Sequence, residues 1–165
     1  MNNKGLLSQE ERILFNPAYC GLILYEVIRQ FQGNDDEGMP CALAFLALPM
    51  STNRHILLCL PKSVATPISG WVASNEGELV GLAATVSSFF DMTIVAISFL
   101  LDQGVVALKS NGRLIIEGPS IPKTPGFVNE NLEIKQSFRA AGLIGRWFSS
   151  ASSVESIYTQ LGVRP

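Results

Sequence analysis

Few side chains in this sequence could do covalent or metal chemistry: Cys20, Cys41, Cys59, the single histidine His55, and the acidic run Asp35-Asp36-Glu37. A zinc site needs cysteines and histidines at short, repeated spacing. No two of these cysteines form a C-x-x-C, and His55 has no acidic or cysteine cluster beside it. The acidic run lacks the alternating ligands and downstream glutamate of a calcium loop, so it reads as a solvated loop. Three thiols in such a chain read as buried or half-buried and reduced. Cys20, Cys59 and His55 are the best material for an unusual active site. No nucleophile elbow, phosphate loop or pair of acids around an apolar pocket accompanies them. The expectation is no catalytic, metal or cofactor site.

The remaining chemistry is that of cations, and their positions depend on the elements that carry them. Residues 91–117 read as a helix feeding a hairpin. Asp91 is the expected N-cap, residues 92–101 are almost wholly apolar, and Gly104 ends the helix. Strands are expected over 105–109 and 113–117 around the Asn111-Gly112 turn. A helix over 76–90, with Leu79, Leu82, Ala83, Val86 and Phe90 on one face, supplies the partner helix of a helix-turn-helix. The result is a mainly α, winged-helix-like single domain. Lys109 and Arg113 flank the wing turn and are the candidate nucleic-acid contacts. The helix itself offers only Thr93, Ser98, Asp102 and Gln103 beyond its cap, none of them positive, so base reading is poorly served and a wing packed on protein is favoured.

Around that unit, the single domain of residues 1–165 divides into N-terminal helices over 1–75, the helix-turn-helix and wing over 76–117, a proline-rich connector over 118–128 and C-terminal helices over 129–165. A partly amphipathic lead-in is expected over 6–15. Asn16-Pro17 starts a helix that runs to about residue 32, with Cys20, Leu24, Val27 and Phe31 as its apolar stripe and Glu26, Arg29, Gln30 and Gln32 in water. Residues 41–48 read as a buried helix, and Thr66-Pro67 starts another, anchored by Trp71. The long helix expected over 129–148 has the stripe Ile134, Phe138, Ala141, Gly145 and Phe148. Gly142 and Gly145 weaken it by roughly 1 kcal/mol each relative to alanine, which points to a close backbone approach. On its other face Lys135, Arg139 and Arg146 form a row without matching carboxylates, suited to an acidic partner surface or a phosphate backbone. Ser152-Ser153-Val154-Glu155 is read as a capping box opening a last helix that ends at Gly162.

Composition sets the class. The chain is 47% hydrophobic and 16% charged, with a net charge of −2, so it carries surplus apolar surface for partners and no field that draws it to nucleic acid or an anionic membrane. The longest apolar run, residues 39–50, is too short to span a bilayer and contains two prolines. No membrane association and a cytoplasmic location are expected.

The segments FNPAYCGLILYEVIRQF (residues 15–31) and LIGRWFSSASSVESIYTQLGVRP (residues 143–165) resemble the middle components of three-component ABC-ATPase systems. Such systems pair an ATPase of the SMC/Rad50 type with a third, effector protein and act as prokaryotic conflict modules against phage. The resemblance implies a non-catalytic adaptor between those two partners, with no cofactor. It places Arg146, Trp147 and Arg164 in the family signature; with Lys135 and Arg139 these form the candidate partner interface. The alternative is a winged-helix DNA-binding protein that senses DNA ends or represses its own operon, and DNA could also be reached through the complex.

Overall fold

A computed structural model describes residues 15–164; apart from Phe15, the lead-in expected over 6–15 lies outside them. The fold is built around α1, Pro17–Gln32, which packs against helices on several sides and against the sheet. Asn16 caps it as its sequence position requires, Oδ1 accepting the Ala18 amide at 2.9 Å and the Tyr19 amide at 3.4 Å. The expected stripe is buried, but so is nearly the whole circumference from Cys20 to Ile28. The four polar residues expected in water are therefore misplaced: Glu26 is 5% exposed, and Arg29, Gln30 and Gln32 are only partly exposed. A central helix has no wet side.

After the acidic loop the chain forms β1 (Met39–Pro40), a 3-10 turn, α2 (Ala44–Thr52) and α3 (Arg54–Cys59). Asn53 caps α3 through the amides of His55 and Ile56. Next comes α4 (Ile68–Ser74), where Pro67 takes the cap position and no side chain does the capping. The single helix expected over 76–90 is two, α5 (Glu76–Leu79) and α6 (Leu82–Ser88), broken around Gly81. Glu76–Ser88 is bent by 58° from α7 (Phe90–Asp102). Leu82 and Val86 are buried as expected, but Ala83 and Phe90 are exposed, and Phe90 stacks on Phe45 with ring centroids 5.1 Å apart. Asp91 is not the cap of α7. Phe89 holds that position without a side-chain bond, and Asp91 sits in the first turn, where the helix dipole favours an acid.

Gly104, at φ +66°, ends α7 as expected, with its own amide on the Leu101 carbonyl and the Val105 amide on that of Leu100. The hairpin follows as β2 (Val106–Leu108) and β3 (Arg113–Ile116), with Leu108 opposite Leu114. Its loop spans residues 110–112, the three left between the expected strands. Lys109 pairs with Arg113, the Gly112 amide bonds the Lys109 carbonyl, and Gly112 (φ +77°) alone takes the left-handed conformation that a type I turn with a bulge requires. The unexpected strand β1 pairs with the other edge of β3, Met39 opposite Leu114, giving a three-stranded antiparallel sheet of order β1-β3-β2.

The C-terminal part is α8 (Leu132–Ser149) and α9 (Val154–Leu161). Asn131 caps α8 through the Glu133 and Ile134 amides. Helix α8 lies on α1 so closely that a Cβ at Gly145 would collide with the Val27 carbonyl oxygen, the approach its glycines imply. The cap of α9 is Ser153, whose hydroxyl accepts the Ser156 amide at 3.1 Å, one residue past Ser152, the cap position of the expected box. Helix α9 packs on α4, and its Tyr158 hydroxyl donates to the Ala42 carbonyl at 2.6 Å. Overall the protein is mainly helical with one small antiparallel sheet. Among the described residues no single helix is long and apolar enough to cross a membrane.

Candidate interaction surface

The basic row on α8 is set by that helix's packing. Phe138, Ala141, Gly145 and Phe148 face the core, so Lys135, Arg139 and Arg146 stand on the exposed side. The three are not equivalent. Arg146 donates to Gln30 Oε1 at 2.9 Å, the end of a polar chain that crosses from α8 to α1. Gln30 in turn donates to Glu26 at 2.9 Å, and Glu26 is paired with Arg29. The Arg29 guanidinium also holds the carbonyls of Ile121 and Lys123, at 3.1 and 2.9 Å, which pins the proline-rich connector against α1. Trp147, by contrast, is 1% exposed and lies inside the fold. Its indole N–H donates to the Thr66 carbonyl at 2.7 Å. Arg164 is exposed just beyond α9.

At the wing the cations are engaged within the chain. Arg113 donates to Asp35 Oδ2 at 3.1 Å and to the Gly38 carbonyl at 2.6 Å. Lys109 Nζ donates to the Glu37 carbonyl at 3.3 Å. The acidic run read as a solvated loop is thus also the partner of the wing.

A cleft of about 910 Å³ opens between α3, the segment after it, and α8. Arg139 and Arg146 line it from α8, and Arg54 and Lys62 from the other wall, against one carboxylate, Glu133. No salt bridge among the described residues involves any of the four cations. Between them leucines and small polar groups share the lining: Leu57, Leu60 and Leu143 stand beside Thr52, Asn53, Asn131, Gln136 and Ser137, with Leu58 (79% exposed) and Leu132 (70% exposed) standing into solvent. Burial raises the phenol of Tyr19, which also lines the cleft, above its ordinary pKa, as an apolar surround does. Sequence reasoning missed Arg54 and Lys62. Each is a lone cation locally, and only the packing of α3 beside α8 makes them neighbours of Arg139.

Of the groups with nucleophilic or ligating chemistry, Cys20, Cys41, His55 and Cys59 stand outside the cleft lining. Burial pushes the Cys20 thiol up to about 12 and raises Cys41 as well. It also raises Cys59, assisted by the charge of Glu78, and Cys59 Sγ donates to the Ile56 carbonyl at 3.4 Å. A thiol held protonated is a weak nucleophile. His55 reaches Glu78 at 4.0 Å with both side chains largely in solvent. Among the described residues no three His, Cys, Asp or Glu side chains are grouped to hold a metal ion.

No curated protein sequence and no solved structure matches the chain. One family model does: that of the ABC-three component (ABC-3C) system Middle Component 3, over residues 5–165. That match takes in α1, the hairpin and both C-terminal helices together, and the chain belongs to the Middle Component 3 family of ABC-three component systems.

Proposed function

We propose that this protein is a non-catalytic adaptor that joins an SMC/Rad50-like ABC ATPase to a third, effector protein in a cytoplasmic antiviral system. The observation that carries the reading is apolar surface left in water on two different elements. On α7, Phe90, Ile94 and Val95 are exposed on its outer side; on the α3–α8 cleft, Leu58 and Leu132 are. Exposed leucines and aromatics gathered in patches mark surfaces that partners cover, and an adaptor needs two. In this reading α7, β2 and β3 are a winged-helix-like unit whose wing faces protein. The engagement of Arg113 by Asp35 and of Lys109 by Glu37 supports that orientation.

The test is reconstitution with the two other components of the same system. Co-expression of all three is expected to yield a complex that loses its effector when this chain is omitted, while the isolated chain hydrolyses neither ATP nor nucleic acid. Failure to bind either component would remove the adaptor reading. Salt-sensitive binding of the isolated chain to duplex DNA, abolished by Arg113→Glu, would install the DNA-binding alternative instead.

A further inference from the structure

Building on the adaptor reading, we propose that the α3–α8 cleft receives an acidic, amphipathic polypeptide segment of one partner component. Two features of the cleft select that occupant. The first is charge: Arg54, Lys62, Arg139 and Arg146 meet only Glu133 within it, although the chain as a whole is net negative. Cations of one sign gathered in a concave site focus a positive potential that the overall charge does not express. The second is the leucine lining. Leu57, Leu58 and Leu132 need an apolar partner to leave water, and a phosphate backbone has none to give. A nucleic acid would satisfy the arginines and leave the leucines wet. A wholly apolar segment would do the reverse and strand four cations in a desolvated groove, which is costly. A segment with carboxylates on one side and apolar residues on the other satisfies both, as amphipathic helices do when they bind in grooves. The cleft, at about 910 Å³, has room for several such side chains. Arg146 enters pre-oriented, because its guanidinium is already held on Gln30.

The experiment uses the full-length chain and each of the two other components of its system. Affinity is measured for the wild type and for the doubly reversed Arg54→Glu/Arg139→Glu variant. Both side chains are exposed and make no ion pair among the described residues, so the variant should fold, and an unchanged far-UV spectrum and thermal midpoint verify that. A photo-crosslinking amino acid at Leu58 then identifies the segment in contact. We expect one component to bind the variant on the order of 100-fold more weakly and the wild-type interaction to weaken as salt rises. The crosslinked peptide should carry Asp or Glu on one face and apolar residues on the other. If a component binds and the reversed variant binds it equally well, the cleft assignment is overturned while the adaptor reading stands. Crosslinks to a segment without acids, to residues 1–14 of this chain, to a second copy, or to DNA likewise overturn it. If neither component binds the wild type, both readings fall together.

Discussion

Trp147 stands edge-on to Trp71, their ring centroids 5.2 Å apart at 86°. The indole N–H of Trp147 is fixed on the Thr66 carbonyl, and that of Trp71 on the Cys59 carbonyl, each at 2.7 Å. The pair ties α8 to α4 and to the ends of the segment between α3 and α4, which forms one wall of the cleft. Edge-to-face aromatic pairs add roughly 0.5–1.5 kcal/mol beyond their area, and each buried N–H would cost more if left unpaired. Trp147→Ala should therefore destabilise the fold by about 3–5 kcal/mol. Trp147→Phe should cost about 1–3 kcal/mol, because the Thr66 carbonyl and the edge contact lose their partner. Urea denaturation measures both. A variant at Trp147 that kept full stability but lost partner binding would show that this position acts as a contact rather than as a wedge.

The buried carboxylate of Glu26 makes a second prediction. It is 5% exposed and is neutralised by Arg29, which also anchors the connector at Ile121 and Lys123. Arg29→Met should cost about 3–5 kcal/mol, since breaking one side of a buried pair strands the other charge. The double variant Glu26→Leu/Arg29→Met should be less damaging than Arg29→Met alone, a non-additivity that a double-mutant cycle reads directly. Exchange of the Ile121 and Lys123 amides should rise in both variants, because releasing the connector also loosens the Ile121 amide from the Tyr25 hydroxyl that accepts it at 3.3 Å. If protection there is unchanged, Arg29 is not what holds the connector.

What was legible in the sequence was local. Asn16-Pro17, the Asn111-Gly112 turn, Gly104 and the apolar stripe of α8 each carry their instruction within a few residues, and the corresponding elements form. The misses depend on tertiary partners. Strand β1 is only Met39–Pro40, and nothing nearby shows that Leu114 will pair with it. Glu26 looked solvated because its spacing is that of a wet face, and only the arrival of α8 and the Arg29 pair makes its burial tolerable. The break at Gly81 was hidden because the apolar period runs on across it, while one glycine costs a helix only about 1 kcal/mol. The cleft was the least visible feature. Arg139 and Arg146 showed as an unpaired row, but their opposite wall comes from Arg54 and Lys62, residues distant in sequence.

Two glycines in helices should respond oppositely to the same substitution. A Cβ at Gly145 would overlap the Val27 carbonyl oxygen and crowd the Phe31 amide, both backbone atoms that cannot yield cheaply. At Gly70, within α4, nothing lies within 4 Å of the added atom. Gly145→Ala should therefore destabilise by about 1–3 kcal/mol despite better helix propensity, whereas Gly70→Ala should stabilise by about 0.5–1 kcal/mol. Thermal unfolding of the two variants side by side decides it, and equal shifts of one sign would mean that α8 can draw back from α1 at little cost.

The Cys20 thiol links stability to alkaline pH. Burial raises its pKa from 9.0 to about 12, so between those values the folded chain keeps a proton that the unfolded chain releases. Stability falls with rising pH wherever the folded state binds more protons. The contribution is thus fully present below about pH 9 and is lost as pH climbs toward 12. The same burial should leave Cys20 unalkylated by iodoacetamide at pH 8 until the protein unfolds. Urea midpoints at pH 8 and pH 10.5 should show a decline for the wild type that is shallower in Cys20→Ala, whose lower starting stability does not affect the slope. Cys41 and Cys59, and the phenols of Tyr19 and Tyr158, are also raised by burial, contribute in the same direction and share the residual slope. If Cys20→Ala declines as steeply as the wild type, the alkaline sensitivity belongs to other groups and the Cys20 site is less enclosed than its packing in α1 indicates.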